Sequence, residues 1–178
     1  MKYNFVIRTP KIPILLLLIL LTVSFPSTSY SSTWLFLKSI SGVGVFIENL
    51  SRHKDSVELN QESLYINAVE ILEKANIKVY KDAQWKNNWG GAFIKIKIIS
   101  SKFNETEGFA VYIDTSVYRP VVIFGGNVNQ NTSFNSTSWT TGKLFSCSQE
   151  EFQTCVQKGV NDLVELFVND YKAVNGER

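Results

Sequence analysis

The sequence predicts an α+β fold, a mostly antiparallel sheet of about five strands with two helices packed on one face, in the order β-α-β-β-β-β-α. Three observations predict it. Apolar residues recur at helical spacing in two stretches, from Leu64 to Ala75 and from Phe152 to Tyr171. Segments such as "GVGVFIEN", "AFIKIKIIS" and "FAVYIDTSVY" alternate with a period of two instead. Polar, turn-forming stretches such as "LSRHKDSVELN" and "SKFNETEG" separate them.

The N-terminus comes first and stands apart. Lys2, Arg8 and Lys11 form a basic region, "IPILLLLILLTV" an apolar core, and "SFPSTSYSS" a run with small residues at alternate positions. That layout predicts a secretory signal peptide over residues 1–31, cut after Ser29 or Ser31, and a single α+β domain over residues 32–178. The apolar run is shorter than the roughly 18–20 residues that span a bilayer. No membrane span is therefore expected after cleavage; the competing possibility is an uncleaved N-terminal anchor. Three of the 18 basic residues and none of the 16 acidic ones lie in this leader, which leaves 15 against 16 and a formal net of −1. A near-neutral domain gives no electrostatic case for nucleic acid, whose binding rests on neutralising phosphates.

The first strand is "GVGVFIEN", Gly42 to Asn49, with Val43, Val45 and Ile47 on one side. "NQESLYINAVEILEKAN" follows as a helix. Leu64, Ala68, Ile71, Leu72 and Ala75 form its apolar stripe, and Glu62, Glu70, Glu73 and Lys74 its outer face. "IKVY" returns as a short strand. "KDAQWKNNWGG" reads first as a turn whose tryptophans cover one end of the core, and second as a ligand loop presenting Trp85 and Trp89. In the next strand Ala92, Ile94, Ile96 and Ile98 point inward, while Lys95 and Lys97 form a solvated face. In the one after it, Phe109, Val111, Ile113 and Val117 point inward, and Pro120 marks a kink or bulge before "VVIFGG". The Thr-rich stretch "NTSFNSTSWTTG", Asn131 to Gly142, reads as the last strand at an edge of the sheet. Simple alternation groups Asn135, Thr137, Trp139 and Thr141 on one of its faces. The terminal helix carries Phe152, Val156, Val160, Leu163, Val164, Phe167 and Tyr171 as a core stripe.

Cys147 and Cys155 are the only cysteines. Export favours a disulfide between them, since an exported pair with no third cysteine closes. Ser148 and Glu151 also fit a capping box. A helix starting at Ser148 would hold the two Cα atoms roughly 10–12 Å apart, beyond the reach of a bridge. So either the bridge forms and the helix begins near Gln153, or the cap forms and the thiols stay free.

"SGVGVFIENL", "AVEILEKANIKV", "SWTTG" and "GVNDLVELFVNDYKAVN" together resemble a family of small exported bacterial proteins of unknown function. That family shows a strand of the "GV-V-VE-L" type, a helix ending "L-KAGI-V", a Trp-x-x-Gly step and a terminal helix ending "F--DY--N". The resemblance covers Gly42 to Asn175, and the cysteine pair in "KLFSCSQEEFQTC" departs from it. It brings no catalytic residues. The order of elements is also similar to the N-terminal α/β domain of the Tol-system periplasmic propeller protein, a likeness of fold that carries no function.

The expected function is that of a non-catalytic exported accessory or binding module of the bacterial cell envelope, periplasmic or secreted. It would meet an envelope or extracellular protein through a surface holding Trp85, Trp89 and Trp139. No metal or cofactor is expected. The only histidine, His53, lies in a polar loop, and no metal-ligand spacing or base-paired nucleophile occurs. One alternative is a carrier of a small apolar ligand held between sheet and helices. Another is a small hydrolase or transferase using the dispersed acids Glu48, Asp114 or Asp162, to which the sequence gives no shared site.

Overall fold

A computed structural model of the chain describes residues 36–51, 58–88, 90–103, 108–124 and 131–176. The leader, its cleavage site, His53 and Trp89 lie outside the described residues. Strand β1 (Gly42–Asn49) leads into helix α1 (Gln61–Lys74), and the chain returns as a two-residue strand β2 (Val79–Tyr80). A 3-10 turn over Gln84–Asn87 precedes three long strands, β3 (Gly91–Lys102), β4 (Gly108–Phe124) and β5 (Asn131–Ser148). Helix α2 (Phe152–Asn175) ends the fold. The order matches the expected one. The sheet runs β2-β1-β3-β4-β5. β1 is parallel to both its neighbours, whereas the two longest pairings, β3 with β4 and β4 with β5, are antiparallel.

Local chemistry sets the helix limits. The Asn60 side chain accepts from the Ser63 backbone N–H at 3.0 Å and so caps the start of α1. Asn76 at φ 62° ends it in the left-handed conformation that asparagine tolerates. Leu64, Ala68 and Leu72 are fully buried, which is the predicted stripe. In α2 the predicted stripe is buried from Phe152 to Phe167, and Tyr171 is half-buried. Tyr171 donates from its hydroxyl to the Ile40 carbonyl at 3.1 Å, and Asn175 donates to the Leu37 carbonyl at 3.3 Å. The end of α2 therefore holds the segment that leads into β1.

Both helices lie on the same face of the sheet. That face presents Val43, then Ala92, Ile94, Ile96 and Ile98, then Phe109, Val111, Ile113 and Val117, all buried. α2 crosses β4 and β5 closely at Gly159. A Cβ there would stand 2.7 Å from the Phe145 ring and 2.9 Å from the Ile113 side chain. Gly159→Val is expected to cost about 1–3 kcal/mol by overpacking, which outweighs a helix-propensity gain of roughly 0.5 kcal/mol. Denaturant unfolding with a lowered midpoint at unchanged slope is the expected reading. A midpoint at or above that of the parent would mean that the crossing has room to spare.

Two features of β5 differ from simple alternation. It runs on past Gly142 to Ser148, because "KLFSCS" continues to pair with the first half of β4. The register also shifts opposite Val117/Tyr118: Val117 faces Trp139, but Tyr118 faces Thr137. This bulge inserts Ser138 and sends Thr137 and Trp139 to opposite faces. Pro120 sits past Tyr118, the last β4 residue paired with β3. Among the described residues β4 there has only β5 beside it, which is where a residue without an N–H fits.

The cysteines are bridged, with Cα atoms 6.3 Å apart. α2 accordingly starts at Phe152 rather than at Ser148. The Ser148 hydroxyl still accepts from the Glu151 N–H at 3.2 Å, so it closes the turn ahead of the helix instead of capping the helix itself.

Candidate functional site

Among the described residues the second face of the sheet carries no α-helix, only the 3-10 turn that holds Trp85 at one end. The side chains of this face fall into four cross-strand rows, followed by a short one of Ser101, Ala110 and Ser146, all fixed by the strand registers. The first row runs Gly44, Phe93, Tyr118, Thr137. Phe93 stacks on Tyr118 with centroids 4.9 Å apart, and Trp85 lies against Phe93 at 4.5 Å. Trp85 also covers Gly44 so closely that an added Cβ would stand 2.6 Å from its ring. Glycine at 44 is thus the condition for seating the tryptophan.

The second and third rows are polar. Phe46, Lys95, Ser116 and Thr140 form one; Glu48, Lys97, Asp114 and Gly142 form the other. The Lys95 ammonium reaches Glu48 at 2.7 Å and lies 5.8 Å from the centre of the Phe46 ring. Lys97 reaches Asp114 at 3.8 Å. The lysines predicted as a solvated face are on this face, each with a carboxylate partner.

The fourth row is apolar across four strands. Ile99 faces Tyr112 and Tyr112 faces Leu144. Leu50 extends β1 beside Ile99 through its N–H to the Ile98 carbonyl at 2.8 Å. All four are exposed: Leu50 40%, Ile99 43%, Tyr112 41% and Leu144 73%. Exposed apolar residues scattered singly need no explanation, but a contiguous row on an uncovered sheet does.

The expected surface residues separate here. Trp85 is half-buried, on the uncovered face, and its ring lines a shallow hollow of about 270 Å³ with Gly44, Phe46, Asp82 and Phe93. It covers that face and not the core between sheet and helices. Trp139 is on the other face, 5% exposed, edge-on to Phe167 at 5.5 Å. Its indole N–H donates to Asp170 on α2 at 2.9 Å. The expectation that Trp139 belongs to an accessible polar surface is corrected: it alternates with Phe145 and Cys147 on the helix face, and the bulge at Ser138 separates it from Thr137 and Asn135. Trp89 lies outside the described residues.

Of the dispersed acids, Glu48 and Asp114 share the third row on either side of Lys97, while Asp162 is on α2, paired with Lys143. Two strand spacings separate Glu48 from Asp114, about 10 Å. Among the described residues no group of three His, Cys, Asp or Glu side chains could hold a metal ion, and no helix is long and apolar enough to cross a membrane.

The exposed row escaped a reading by alternation. Its signal was the break in alternation at "IIS", "VYI" and "KLF", where apolar residues follow one another and so occupy both faces.

No protein-family model and no curated protein matches the chain. Among solved structures, the hypothetical protein CT253 from Chlamydia trachomatis aligns at 11% identity and a TM-score of 0.43, over 75% of this chain and 99% of that one. A PelC dodecamer from Paraburkholderia phytofirmans aligns at 12% identity and a TM-score of 0.43, over 75% of this chain and 89% of that one. Neither likeness bears on what this chain does.

Proposed function

We propose that the chain is a non-catalytic exported accessory or binding module of the bacterial cell envelope, acting through the uncovered face of its sheet. The observation that carries this reading is the exposed row Leu50–Ile99–Tyr112–Leu144 beside a row of paired charges. Burying such a row would gain roughly 25 cal/mol for each Å² of apolar surface removed from water. The neighbouring charges would fix orientation and exclude wrong partners. The disulfide supports export, because such bridges persist in oxidising compartments. The resemblance to small exported proteins points the same way.

The carrier reading has less support. It needs space between sheet and helices, yet α2 approaches the sheet at Gly159 too closely to admit even a methyl group without displacement. The hollow at Trp85 opens instead on the uncovered face.

A photo-cross-linking residue in place of Leu144, in the full chain expressed in its host, tests the proposal. It is expected to join the chain to a discrete protein species in the envelope fraction. The same residue in place of Glu165, exposed on α2, should not. Adducts of equal yield from both positions, or none from Leu144, would count against this face.

A further inference from the structure

We infer that the occupant of the uncovered sheet face is a second copy of this chain, docked face to face about a two-fold axis. The axis runs along the strands, between β3 and β4. This inference rests on the reading of that face as the contact surface and names its partner.

The face is self-complementary, as an isologous contact requires. A two-fold axis along the strands lays each row on the same row of the other copy. It exchanges β3 with β4 and β1 with β5. In the charged row, Lys97 then faces Asp114 of the second copy, and Asp114 faces its Lys97. Glu48 faces Gly142, over which the Tyr112 ring of that copy lies, so it meets a phenol hydroxyl and no like charge. In the apolar row Ile99 meets Tyr112 and Leu50 meets Leu144, while the exposed Phe46 of the second row faces Thr140.

The other in-plane two-fold, perpendicular to the strands, fails on charge. It would keep β3 over β3 and lay Lys97 on Lys95 of the second copy. That holds for an axis between the second and third rows; moved onto the apolar row, the same axis keeps that row on itself but leaves Lys97 facing Ser101 and Asp114 facing Ala110, with neither charge paired across the contact. Like charges brought together across an interface are strongly disfavoured. The pattern therefore selects one orientation, with the strands of both copies running the same way, in the aligned class of sheet packing.

The face is also electrically balanced, with Lys95 and Lys97 against Glu48 and Asp114. Bringing two copies together opposes no net charge. Clear of the turn that holds Trp85, the second to fourth rows and the short row Ser101, Ala110 and Ser146 make a patch of about 19 Å by 27 Å. That corresponds to on the order of 1,000 Å² or more buried over the pair, the size at which specific interfaces begin.

The test uses protein made from the full gene through the export route, so that processing takes place. Sedimentation or light scattering at up to roughly 100 μM is expected to give twice the monomer mass. Leu144→Asp should be monomeric, with thermal unfolding close to that of the parent, since Leu144 is 73% exposed. Lys97→Glu should weaken association at least about tenfold. Adding Asp114→Lys to it restores the charge pattern within and between copies, and should restore the dimer. A monomeric parent, a dimer that survives Leu144→Asp, or a charge swap that fails to restore association would each overturn the inference. A monomer whose Leu144 position still cross-links to a different envelope protein would overturn the second copy but keep the face as a binding surface. Absence of any adduct together with a monomer would remove both.

Discussion

Trp139→Ala is expected to lower the free energy of unfolding by about 3–5 kcal/mol, as deletion of a buried aromatic does. The side chain is 5% exposed and stands edge-on to Phe167, which is itself fully buried. Its removal leaves a void between β5 and α2 and strips Asp170 of an indole donor. Domains of this size have about 5–15 kcal/mol in all, so the loss should appear as a large fall in the denaturation midpoint. Trp139→Phe keeps most of the volume but not the N–H, and is expected to cost about 1–2 kcal/mol. Below its own transition, the alanine variant should keep whatever association the parent shows, because no part of the uncovered face is altered. An unchanged midpoint, or association lost while the fold stays intact, would return Trp139 to the surface role that its Thr-rich surroundings suggested.

That residue marks the boundary of what the sequence displayed. The helices were legible because their stripes obey a single period. Leu64, Ala68 and Leu72 repeat at four, and the α2 stripe continues through more than five turns of about 3.6 residues. The strands β1, β3 and β4 were legible for the equivalent reason, with inward residues at every second position. Trp139 was misplaced because alternation counts residues, and a bulge changes the count. Ser138 adds one residue to β5, and everything before it reverses face relative to everything after it. Nothing in "FNSTSWTTG" distinguishes a bulged strand from a regular one, since Ser and Thr suit either face.

The uncovered face was hidden for a different reason. A strand whose two faces are both partly apolar reads as an imperfect one-faced strand, and the imperfections look like noise when strands are taken singly. Phe46, Ile99, Tyr112 and Leu144 each break the pattern of their own strand. Only the registers show that three of them stand in one row with Leu50, and that the lysines and carboxylates of neighbouring strands alternate beside it. Registers depend on long-range pairing, which a single strand's pattern does not encode. What could be read locally was that Lys95 and Lys97 point away from the core; what they face across the sheet could not.

The disulfide yields the second large expected effect. Replacing both Cys147 and Cys155 with alanine should cost about 2–3 kcal/mol, the lower part of the range for native bridges because the loop is short. The sequence separation is only 8, so the bridge restricts the unfolded chain less than a long-range link would. Its position adds to the effect. Cys147 pairs with Phe109 on the helix face of the sheet, and Phe109 lies 4.8 Å from the Phe152 ring at the start of α2. The bridge thus holds the first turn of α2 onto the end of β5, where the turn between them spans only Gln149 to Glu151. Heating is expected to show a transition lower by about 5–10 °C for the double variant. The parent treated with a thiol reductant should move by a similar amount, because both lose the same covalent restraint. A reductant that leaves the parent unmoved while the alanines destabilise would assign the effect to lost packing at Cys147 rather than to the bond. If the restraint is what matters, protein made in a reducing cytosol should unfold earlier than protein made through the export route, and oxidation after purification should close the gap.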